Sequence, residues 1–87
     1  MKVSVWDTYV KRHDGRIMHF DILVPDHVTD KNTVFEYGKE YLKKKSISNT
    51  NLATKECRFC HIEVATPTMI TQIGLKGYDI IEMENCD

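Results

Sequence analysis

The sequence predicts an α+β fold: four strands and two helices in the order ββαβαβ, a mixed sheet with both helices mainly on one face. Three observations carry that expectation. Residues 3–24 read as two strands around an Asp-Gly turn. Two later stretches have helical spacing with caps at their ends. Two further short runs, rich in β-branched and aromatic residues, follow.

The first strand, Val3 to Lys11, alternates in character, and Ile17 to Val24 (IMHFDILV) is the second. His13-Asp14-Gly15-Arg16 lies between them, and Asp-Gly is a hairpin signal. A two-residue turn would pair Asp7 with Ile22. A three-residue loop with Gly15 left-handed pairs Asp7 with Asp21 and Tyr9 with His19. The second register sorts the faces. Trp6, Thr8, Val10, Met18, Phe20, Ile22 and Val24 fall on one, and Val3, Val5, Asp7, Tyr9, Ile17, His19, Asp21 and Leu23 on the other. A slip of one residue would mix polar groups into both, so the second register is expected.

Pro25 ends the hairpin. Asp30 caps a helix over Lys31 to Lys44 whose apolar side is Val34, Tyr37, Gly38, Tyr41 and Leu42. Lys43-Lys44-Lys45 suits the negative end of its dipole. Ser46 to Thr54 is a polar loop, and Phe59 to Val64 (FCHIEV) a third strand. Thr66 caps a second helix, with Pro67 at its first position, Met69, Ile70 and Ile73 as its buried stripe and Gly77 as its end. Tyr78 to Met83 is the fourth strand. A helix joins strands three and four, so they are expected as parallel neighbours.

With 87 residues the chain is read as one domain, residues 1–87, with room for one core. Hydrophobic residues make up 41% and charged residues 29%, as in globular proteins rather than disordered ones. Twelve basic against thirteen acidic side chains, net −1, lack the basic excess of a nucleic-acid domain. No apolar run nears the ~20 residues of a membrane helix, and the N-terminus lacks the apolar core of a secretory signal. Three cysteines without a signal predict reduced thiols and a cytoplasmic protein.

Four stretches, VWDTYVKRHDGRIMHFDILVPD at residues 5–26, FEYGKEYL at 35–42, CRFCHIE at 57–63 and GYDIIEMENC at 77–86, cover most of the chain. In them the sequence resembles a small bacterial family, domain-of-unknown-function family 2024. The resemblance implies a compact α+β domain. It implies no activity and no catalytic motif.

Two constellations could carry chemistry. Cys57-Arg58-Phe59-Cys60-His61 matches the C-x-x-C-H pattern of c-type haem attachment, but only over five residues. Zinc is a second reading, with Cys57, Cys60 and His61 as ligands and Cys86 or His13 completing the set. A zinc signature ordinarily has a second such pair, and this chain has none. A redox pair would need a helix N-terminus. Strand alternation sends the two sulfurs to opposite faces, so the expected state is structural, with Cys60 packed beside Ile62 and Val64 and Cys57 half exposed. Neither haem nor zinc is therefore predicted there.

The second constellation is on the hairpin. Asp7 and Asp21 face each other with His19 and Tyr9 alongside, and opposed like charges need a cation, a shared proton or hydrogen-bond donors. If the third strand joins with His61 and Glu63 on this face, five polar groups converge. Asp7, His19, Asp21 and His61 are thus candidates for metal binding or acid–base work. The alternative is a hydrogen-bonded network without activity. Trp6, Tyr37 and Tyr41 are expected as packing groups.

Two functions remain. One is a homo-oligomeric or protein-interaction module, a dimer, built on a helix-free face bearing Val3, Val5, Ile17 and Leu23. The other is a small enzyme or metal-binding protein using the carboxylate–imidazole cluster.

Overall fold

A computed structural model describes residues 1–47 and 57–87. The elements are β1 (Lys2–Lys11), β2 (Ile17–Pro25), α1 (Lys31–Lys44), β3 (Cys57–Val64), α2 (Pro67–Lys76) and β4 (Asp79–Glu84). The ββαβαβ order and the α+β class are as the sequence predicts. Beyond Ile47, the polar loop expected after α1 lies outside the described residues.

The hairpin closes through a three-residue loop. Arg12 donates its N–H to the Arg16 carbonyl at 2.8 Å, and Gly15 donates to the Arg12 carbonyl at 3.0 Å. Gly15 has φ +89°, which a glycine adopts without strain. An Asp14 carboxylate oxygen accepts from the Arg16 backbone at 3.0 Å and the other from its guanidinium at 2.7 Å. The resulting register pairs Asp7 with Asp21, Tyr9 with His19 and Trp6 with Ile22.

The strand order is β3-β1-β2-β4. Every pairing is antiparallel. The expected parallel neighbours, β3 and β4, instead form the two opposite edges, and the sheet is antiparallel rather than mixed. The connection that carries α2 runs from one edge to the other across the hairpin.

The helices also pack on opposite faces, not mainly on one. Trp6, Val10, Met18, Phe20, Ile22 and Val24 form the larger core with Val34, Tyr41 and Leu42 of α1. Val3, Val5 and Leu23, on the other side, pack with Met69 and Ile73 of α2. The reason lies in those three aliphatic side chains. An uncovered stripe of this size is costly, and the β3-to-β4 connection crosses above it. The face expected to be helix-free is therefore covered at one end, where Val3, Val5 and Leu23 lie beneath α2, while Ile17 stays 48% exposed.

The caps hold as read. Asp30 accepts from the Asn32 N–H at 3.0 Å, and the Thr66 hydroxyl accepts from the Met69 N–H at 3.2 Å. Gly77 ends α2 with φ +90° while its N–H donates to the Ile73 carbonyl at 2.8 Å. Ile70 departs from the expected buried stripe, for it is 42% exposed while Met69 and Ile73 are buried. The aromatic residues pack as expected. Phe20 lies on Tyr41 with centroids 4.6 Å apart, and Tyr37 stacks on Tyr78 at 4.6 Å.

Candidate functional site

Alternation along β1 and β2 puts Asp7, Tyr9, His19 and Asp21 on the face that α2 shares, beyond the end covered by Met69 and Ile73. His19 Nε2 lies 3.6 Å from an Asp7 oxygen and 3.5 Å from an Asp21 oxygen. One donor atom from each of the three residues lies within 4.8 Å of the others. The side chains are partly buried, at 35% exposure for Asp7, 18% for His19 and 15% for Asp21.

These separations are too long for good hydrogen bonds. Among the described residues, His19 Nε2 and Asp21 Oδ1 are buried with no hydrogen-bond partner. The His19 ring is held flat against Tyr9, with centroids 4.3 Å apart and planes 13° apart. This stack limits how far Nε2 can turn from the carboxylates.

Burial pushes the Asp21 carboxyl up to about 6, and a hydrogen bond to Asp7 and that residue's charge add to the rise. His19 and His61 pull against it. Asp21 therefore gains or loses a proton near neutrality, unlike an ordinary aspartate.

β3 brings further polar groups to the same face through a β-bulge. Val5 pairs with His61 and Trp6 with Phe59, which leaves Cys60 as the extra residue. Two consecutive side chains, Cys60 and His61, then point to the Asp7 side. His61 Nδ1 is 3.2 Å from Cys60 Sγ, and its Nε2 is 3.7 Å from a Glu63 oxygen. Loss of hydration, and then the Asp7 charge, raise the Cys60 thiol above its ordinary value. His61 thus shares the face with Asp7, His19 and Asp21 but sits beside the three rather than among them. Glu63 joins it, so the expected convergence of His61 and Glu63 with the hairpin cluster is present as a broad polar surface.

The two cysteines of the C-x-x-C-H stretch point to opposite faces, but their burial is the reverse of that expected. Cys57 is fully buried on the α1 side, where the Thr8 hydroxyl donates to its sulfur at 3.6 Å. Burial raises its thiol pKa. Cys60 is exposed, and so are Ile62 and Val64, at 51% and 71%. The physical reason is that β3 is an edge strand, and the bulge turns Cys60 away from the α1 core. Cys86 packs in the α1-side core with its sulfur 3.3 Å from the His19 carbonyl, and His13 is exposed in the hairpin loop. Neither completes a four-ligand set with Cys57 and Cys60.

Among the described residues, no helix is long and apolar enough to cross a membrane. A search of curated proteins gives no match. Among solved structures, the NMR structure of protein NE1680 from Nitrosomonas europaea, a structural-genomics target, is similar with a TM-score of 0.88 and 39% identity. That similarity covers 100% of each chain. Neither that protein's description nor the family's names a cofactor. The family model described as "Domain of unknown function (DUF2024)" matches residues 1–83, and the chain belongs to that family.

Proposed function

We propose that the protein binds a divalent transition-metal ion through Asp7, His19 and Asp21. The observation that carries this reading is the convergence of three donor atoms, one from each side chain, all within 4.8 Å of one another. Metal–ligand bonds of about 2.0–2.2 Å at tetrahedral angles set neighbouring donor atoms roughly 3.3–3.6 Å apart. His19 Nε2 stands 3.6 Å from Asp7 and 3.5 Å from Asp21. Imidazole with two carboxylates suits zinc, manganese or iron(II) more than magnesium or calcium, which favour all-oxygen sets. A cation there also resolves the opposition of two carboxylates on paired strands. The exposed side of Asp7 leaves room for water as a further ligand.

The Cys57-Cys60-His61 stretch is not the metal site in this reading, and covalent haem is not proposed, because the two sulfurs face opposite sides of the sheet. A second reading, acid–base work, rests on the Asp21 carboxyl titrating at about 6.

The test is zinc titration by calorimetry at pH 7, with metal content measured by mass spectrometry. The proposal expects one ion per chain, lost in Asp7→Asn and Asp21→Asn and retained in Cys57→Ser. Binding should weaken as pH falls through about 6, where protons compete for Asp21. Absence of a stoichiometric ion at pH 7 in folded protein rejects the metal reading and leaves the acid–base one.

A further inference from the structure

We propose that β3 pairs edge to edge with β3 of a second copy of this chain, antiparallel about a twofold axis between Cys60 and His61. Among the described residues β3 is an edge of the sheet, eight residues long. Phe59, Ile62 and Val64 are 52%, 51% and 71% exposed along it. A long edge with exposed apolar side chains is a template for strand addition.

The bulge selects the occupant and the register. Pairing with β1 puts Cys57, Phe59, Ile62 and Val64 on the α1 side and Arg58, His61 and Glu63 on the other, with Cys60 beside His61. Antiparallel partners must share a face. About an axis between Cys60 and His61, Cys57 meets Val64 of the second copy, Arg58 meets Glu63, Phe59 meets Ile62, and Cys60 meets His61. Every one of these pairs matches in face. A shift of the axis by one residue either way breaks the match, because the bulge has changed the alternation halfway along the strand. In the matched register, an arginine stands opposite a glutamate twice, once on each side of the axis. Apolar Phe59 and Ile62 likewise meet twice, so the strand is complementary to itself in charge and in apolarity.

The opposite edge lacks this property. β4 carries Asp79, Glu82 and Glu84 and no basic residue, so a second copy there meets like charge.

A charge-swap experiment on the full chain tests the pairing by native mass spectrometry and sedimentation. Wild type should form a dimer. Arg58→Glu sets glutamates against each other on both sides of the axis, and Glu63→Arg does the same with arginines. Each variant alone should dissociate at least about ten-fold more readily than wild type. Mixed in equal amounts, the two variants restore both opposite-charge pairs and should form a heterodimer as tight as the wild-type dimer. Circular dichroism melts establish that each variant is folded. Should Arg58→Glu not fold, Glu63→Arg alone still has to weaken the dimer. A monomeric wild type, a dimer indifferent to the swaps, or folded variants that fail to form the heterodimer would each overturn the proposal.

Discussion

Asp21→Asn should stabilise the metal-free protein at pH 7 while abolishing metal binding. The magnitude follows from the carboxyl's environment. An aspartate raised from its ordinary 3.8 to about 6 is harder to ionise in the folded chain than in the unfolded one. The sign is set by proton uptake: between those two pH values the folded state holds more protons, so stability falls as pH rises, and above about 6 the whole penalty is present. Taken at face value the difference is about 3 kcal/mol. The side chain is 15% exposed and borders solvent beside Asp7, so screening reduces this to about 1–2 kcal/mol. Asparagine keeps the shape and removes the charge. Urea denaturation in the presence of chelator at pH 4 and pH 7 measures the effect. The variant should gain about 1–2 kcal/mol at pH 7 and much less at pH 4, where wild-type Asp21 is mostly protonated in the fold. A gain of equal size at both pH values, or none at pH 7, would refute the reasoning.

Other substitutions probe the fold around the site. Phe20→Ala empties a fully buried position against Tyr41 and should cost about 3–5 kcal/mol in urea denaturation. Cys57→Ser places a hydroxyl in the buried α1-side core and should cost about 1–3 kcal/mol, whereas Cys60→Ser on the exposed edge should leave the thermal midpoint nearly unchanged. Gly77→Ala should lower stability by at least about 1 kcal/mol, because φ is +90° and a new Cβ would lie 2.8 Å from the Tyr37 hydroxyl. A melt of that variant at the wild-type temperature would show that α2 ends with slack.

The hairpin could be read from sequence in full, because its information is local. Asp14-Gly15 names the loop, and the alternation of Trp6, Phe20 and Ile22 against Asp7, His19 and Asp21 permits one register. The candidate site followed from that register alone. The caps at Asp30, Thr66 and Gly77 were legible for the same reason. What the sequence did not disclose depends on non-local pairing. Nothing in FCHIEV or YDIIEM says which side of the hairpin each strand joins, and a helical connection favoured parallel neighbours. The side taken by α2 follows from Val3, Val5 and Leu23, three aliphatic side chains on one face that need cover. The bulge at Cys60 left no local mark, since it arises from the mismatch of two registers. It reversed the expected burial of Cys57 and Cys60, and it added Cys60 to the polar face.

The placement of the hairpin in the middle of the sheet bears on how long the site survives thermal fluctuation. Asp7 comes from β1, His19 and Asp21 from β2, and each of these strands is bonded on both sides. Amide hydrogens in such central strands exchange slowly, through openings that approach global unfolding, while edge strands open at lower cost. Loosening of β3 or β4 would thus uncover Cys57 or Ile81 without parting Asp7 from Asp21. The three donor groups are separated only when the two central strands come apart, so their geometry should persist to the end of the unfolding transition.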